Sequence, residues 1–174
     1  MDERTLTSPV WFSRVGLPFA PSERAAIEAM IRGHAVLARA EIGGVGHWHE
    51  AAEFIRAAEW DDTWWEQEEQ ERARLWECAA DRCTEAELLA RLAAVTDALT
   101  AAVHRAAAAA AARDGVADPA LVRAAASGAL MAAHQHALAE LAGEVGAHFF
   151  GFKYALFAGG RWPLGYHRGR YAVF

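Results

Sequence analysis

Lysine is all but missing from this chain. Lys153 is the only one in 174 residues, so arginine carries the basic side. Positive charge is also in deficit: 17 lysines and arginines against 23 acidic residues leave a net charge of -6. That balance offers no basic stripe to a phosphate backbone and argues against nucleic-acid binding. Cysteine is equally scarce. Cys78 and Cys83 stand five apart on a predicted helix and point to different faces, which argues against a disulfide between them. Two cysteines without a framework suit a reducing compartment. The charged start Met1-Asp2-Glu3-Arg4 lacks the apolar core of an export signal, so a cytoplasmic location is expected. No stretch approaches the twenty or so apolar residues that span a bilayer, and no membrane association is expected. Missing too are Gly-x-x-x-x-Gly-Lys, Gly-x-Ser-x-Gly, His-Glu-x-x-His and Cys-x-x-Cys-His, which sets aside the usual phosphate, hydrolase, zincin and covalent-haem motifs.

What remains is rich in alanine, which inflates a hydrophobic content of 54%. The length suits one domain over residues 1–174, its core drawn from Leu, Val, Ile, Phe and Trp. Residues 1–21 read as an extended arm, because Pro9, Pro18 and Pro21 forbid a long helix. Val10, Trp11, Phe12, Leu17 and Phe19 should tuck that arm against the rest. Helices are predicted over 22–158. The first starts at Ser22, carries Ile27, Met30, Ile31, Leu37 and Ile42 on one stripe, and ends at Gly43-Gly44. The glycine link then predicts an antiparallel helical return beginning near His47.

A break is expected around Trp60 to Thr63, followed by a helix to about Arg82. Thr84 and Glu87 make a capping box for a helix striped with Leu88, Leu92, Val95, Leu99 and Val103, stopping at Asp114-Gly115. Asp118 and Pro119 open the last long helix. Unbroken to Phe157 it would be on the order of 55 to 60 Å long, so a break is predicted near Gly143, Gly146 or Gly151. Residues 161–174 read as a small β-hairpin turning near His167-Arg168-Gly169. The predicted fold is therefore all-α: an antiparallel bundle of four to five helices, with the arm at one end and the hairpin at the other.

Several polar residues interrupt the apolar stripes, and burying one without a partner costs a few kcal/mol. His134 projects onto the centre of the last helix's apolar face, and His148 onto its shoulder. Glu144 and His148, at i and i+4, could share an ion or simply pair. His34 and Glu41 fall within the first helix's arc, and Glu41 is expected to meet His47 across the glycine link. Glu50 follows in the same turn. His49 and Glu53 point outward, and His104 and His167 read as surface residues.

Tryptophan is concentrated in one stretch. Trp48, Trp60, Trp64, Trp65 and Trp76 exceed what a modest core needs, and Glu68 and Arg72 sit among them. An i, i+4 ion pair under the indoles explains the last two. An aromatic groove with a charged floor, suited to a flat or cationic ligand, explains them equally.

The leading functional expectation is a non-catalytic module. It would bind a partner protein or small molecule through Trp48, Trp60, Trp64, Trp65, Glu68, Arg72 and Trp76, or form a homodimer through that face, with no cofactor. The alternative is a redox or hydrolytic enzyme holding iron, manganese or zinc through a subset of His34, His47, Glu50, His134, Glu144 and His148. A flat cofactor bound axially by one inward histidine is a third reading.

Overall fold

The computed structural model describes residues 9–33, 37–58, 62–144 and 148–174. The chain is mostly helical with a small C-terminal sheet, in the order α1 (Pro21–Gly33), β1 (Glu41–Gly44), α2 (Trp48–Ala58), α3 (Asp62–Ala80), α4 (Glu85–Arg113), α5 (Pro119–Ala142), α6 (Phe149–Ala158), β2 (Pro163–His167) and β3 (Arg170–Val173).

Local capping chemistry sets the helix ends. The Thr84 hydroxyl accepts the Glu87 N–H while the Glu87 carboxylate accepts the Thr84 N–H, the reciprocal box that opens α4. Asp118 accepts the Ala120 and Leu121 N–H groups, with Pro119 at the first helical position. α5 stops where Gly143 adopts a left-handed conformation at φ 83°, which relieves the length problem foreseen for an unbroken helix. His148 then caps α6 through its ring, Nδ1 accepting the Phe150 N–H at 3.1 Å.

α5 lies at the centre, packed against α3, α4 and α6. Buried alanines along it, from Ala125 to Ala142, let the neighbouring helices come close. The core divides into three apolar clusters. One gathers Trp11, Phe12, Trp48, Val103, Phe157, Trp162 and Phe174. A second lies between α3, α4 and α5 around Leu75, Leu88 and Leu138. The third joins Ile27, Ile31, Leu37, Trp64, Leu156 and Tyr171.

The tail is the expected hairpin: β2 and β3 pair antiparallel, and Arg168 and Gly169 turn with φ of 47° and 82°. Two left-handed residues in succession are what the right-handed strand twist favours in a tight turn. A third strand corrects the reading of residues 37–44. The first helix stops by Gly33, and Glu41–Gly44 pairs in parallel with β3 instead of ending a helix. β3 has two edges and β2 covers only one, so a second partner removes an exposed ladder. A Cβ at Gly43 would push aside the exposed Arg170 guanidinium, which donates to the Gly44 carbonyl at 2.9 Å.

The arm is also corrected. Its described part turns over residues 11–16 rather than running extended. Trp11, Phe12 and Val15 are buried, while Val10 and Leu17 face solvent. Arg161 holds it down. This side chain is 1% exposed; it pairs with Glu23 at 2.9 Å through Nε and Nη2, and donates to the carbonyls of Arg14, Leu17 and Pro18. The Arg161 guanidinium holds Glu23 below the usual carboxylate range.

Candidate functional site

The lone lysine belongs to a second sheltered charge cluster, besides that of Arg161 and Glu23. Lys153 of α6 donates to both Glu68 oxygens of α3, at 2.7 and 2.9 Å, and to Gln135 Oε1 of α5 at 3.3 Å. Gln135 Nε2 closes the triangle onto Glu68 at 3.3 Å. Glu68 is 5% exposed and Gln135 2%. The expected pairing of Glu68 with Arg72 does not form. Arg72 turns to Glu69 instead and holds that carboxyl below its ordinary range. The negative floor imagined for a cationic ligand is therefore already neutralised by an internal ammonium. Tyr171 stands close by, fully buried, its hydroxyl without a hydrogen-bond partner. Burial, and secondarily the Glu68 charge, push that phenol well above its usual range.

The carboxylates and imidazoles considered for a metal do not converge. Among the described residues no group of three or more His, Cys, Asp or Glu is placed to hold an ion. His34 lies outside the described residues. His47 is exposed, and Glu50 is used to accept the Gly46 N–H at 2.9 Å. Glu41 sits exposed in β1, with no bond to His47, because the chain there is strand and not a helical return.

Glu144 and His148 do not face one another. Glu144 meets Arg74 at 3.0 Å, Arg74 meets Glu71 at 2.7 Å, and Glu71 meets His148 Nε2 at 2.8 Å. With Nδ1 accepting from Phe150, the proton of the neutral ring sits on Nε2 and is donated to Glu71. Arg74, with His148 adding to it, holds the Glu71 carboxyl low despite its partial burial. This chain of contacts ties α3 to both sides of the α5–α6 corner.

His134 is half-buried, not central to the apolar face. Its Nδ1 is sheltered and has no partner, and burial, then the Arg72 charge, depress its basicity.

The tryptophans do not form one wall. Trp48 packs in the first cluster against Trp162 and Phe174, both at 5.4 Å between ring centroids. Trp64 packs in the third, edge-on to Phe149 at 5.0 Å and Tyr171 at 6.3 Å. Trp76 lies half-buried on the second, and Trp65 is 57% exposed. Trp60 falls outside the described residues. Neighbours on a helix point 100° apart, so Trp64 and Trp65 cannot share a face.

One of these indoles borders an open space. α2 and the turn between α4 and α5 flank a groove of about 420 Å³, with an apolar lining of Trp48, Ala52, Ile55, Val116 and Leu121. Three charged or titratable side chains also line it: His49, Arg56 and Asp118. His49 is paired with Glu53 at 3.2 Å. Arg56 donates through Nε to the Ala52 carbonyl of its own helix and meets no carboxylate among the described residues. Asp118 uses Oδ1 to cap α5 and meets no cation among them.

No family model, curated protein or solved structure matches this chain. Its chemistry has to be read from these residues alone. Sequence reasoning reached Trp48 and Glu68 but passed over Gln135, Lys153, Arg161 and Tyr171. The isolation of Lys153 in an arginine-rich chain was the one available signal, since a residue type used once at a mostly apolar helix invites a specific partner.

Proposed function

We propose that this chain is a non-catalytic helical binding protein, and that the groove beside Trp48 receives a small ligand. On this reading α3 to α6 form an antiparallel bundle serving as a rigid base, and α2 with the α4–α5 turn presents the site. The groove itself carries the proposal. Its volume of about 420 Å³ falls within the range of small-molecule pockets, and its lining is mainly apolar with a few polar groups at hand.

The buried cluster around Lys153 supports the binding reading indirectly, because its three members satisfy one another and leave no reactive group free. Trp65 is an exposed indole of the kind protein interfaces use as anchors, but it is the one exposed tryptophan among the described residues, so a small ligand is favoured over a protein partner.

Titrating isotope-labelled protein with indole, a neutral flat body, tests the site. Amide shifts are expected at Ala52, Ile55, Val116 and Leu121, and Ala52→Leu should abolish them while the far-ultraviolet circular dichroism stays unchanged. Shifts absent or scattered over other exposed apolar residues would overturn the assignment.

A further inference from the structure

We infer that the groove is built for a zwitterion: a small molecule with an apolar body that carries one anionic and one cationic group, of the size of an aromatic amino acid. The inference rests on the groove being the binding site and adds the class of ligand. Of the polar side chains on the lining, His49 already has Glu53 as a partner. Arg56 and Asp118 have none among the described residues, and they do not pair with each other. The groove thus holds, on two exposed side chains, one charge of each sign without an ion-pair partner among the described residues, beside the partly exposed Ala52, Ile55 and Val116.

A guanidinium whose Nε alone is engaged keeps its terminal nitrogens for a carboxylate, the planar acceptor it fits best. Asp118 bonds the helix through Oδ1 only, which leaves Oδ2 for an ammonium. A purely anionic ligand would meet Asp118, and a purely cationic one Arg56. A molecule with both charges relieves both.

Four ligands sharing one body test this by calorimetry and amide shifts: indole, indole-3-propionate, tryptamine and tryptophan. Tryptophan is expected to bind about tenfold more tightly than either singly charged analogue, the advantage of one added charge-assisted contact. Arg56→Met should erase its advantage over tryptamine. Asp118→Asn, which keeps the helix cap, should erase its advantage over indole-3-propionate. If all four bind the groove equally, or a singly charged analogue binds best, the zwitterion inference fails and the groove stands. If none of the four, indole included, shifts the groove amides, the groove itself fails as a site.

Discussion

Replacing Lys153 with methionine isolates what the buried ion cluster does for the fold. The stem length is nearly kept, so the principal loss is the ammonium. Glu68, 5% exposed, would then retain a single neutral donor, Gln135 Nε2 at 3.3 Å, in place of two short charge-assisted bonds at 2.7 and 2.9 Å. Removing one partner of a buried ion pair costs about 3–5 kcal/mol, because the other is left charged and unsolvated. Lys153 itself is 14% exposed, which places the expected loss toward the lower end of that range.

Against a total stability of about 5–15 kcal/mol the loss is large. For a chain of this length it corresponds to a fall in Tm of roughly 6–20 °C. Urea melts followed by circular dichroism at pH 7 measure it. The double variant Glu68→Leu with Lys153→Met removes the charge that the single change strands, and should recover most of the stability. A single variant that loses less than about 1 kcal/mol would refute the account of Glu68 as a charge dependent on Lys153. So would a double variant no more stable than the single one.

Two further outcomes follow from the sheltered groups that lack partners. Because His134 is held below the ordinary imidazole range, the unfolded chain takes up its proton first. Stability should therefore fall as the pH drops from about 6.5 through the lower folded value. His134→Gln should flatten the urea midpoint between pH 7 and 5, and a profile parallel to the wild type would contradict this. Glu23, Glu69 and Glu71 act in a separate window, their stabilisation present above 4.5 and lost as the pH falls through their depressed values. Tyr171→Phe deletes a buried hydroxyl without a partner, so it should be neutral or stabilise by about 1 kcal/mol. A loss of that size in equilibrium unfolding would show that the hydroxyl is satisfied in solution.

The helix boundaries were legible wherever the signal was local. The Thr84–Glu87 box and the Asp118–Pro119 start act within one turn, so neighbouring residues suffice to read them, whereas the stop could be read only as one of Gly143, Gly146 or Gly151. β1 was illegible for the opposite reason. Glu41–Gly44 is a strand only because β3, some 130 residues later, offers it an edge. On α5, buried alanines lie on several sides, so a wheel drawn from leucines and valines misplaced the inward face; Gln135 turned out to be the buried polar residue, and His134 its half-buried neighbour. The Lys153 cluster joins residues 67, 85 and 18 positions apart, and helical periodicity states which way a residue points but not what it will meet.

The distribution of paired and unpaired charge separates architecture from the proposed site. α6 and its flanks are fixed at three points: His148 to Glu71 at its start, Lys153 to Glu68 in its middle, and Arg161 to Glu23 just past its end. Each of these contacts spans two elements and is at least partly sheltered, so each specifies how α6 docks and has little capacity left for a ligand. At α2 the pattern is reversed. Glu50 and His49 are satisfied within their own helix and the residues just before it, while Arg56 and Asp118, both exposed, line a common groove without counter-charges among the described residues. Charges spent on docking helices cannot also bind a ligand, whereas an unpaired cation and anion beside an apolar lining can. The tryptophans are mostly spent on packing: Trp64, Trp162 and Trp48 are all buried, and of the described tryptophans Trp48 is the one on the groove's lining.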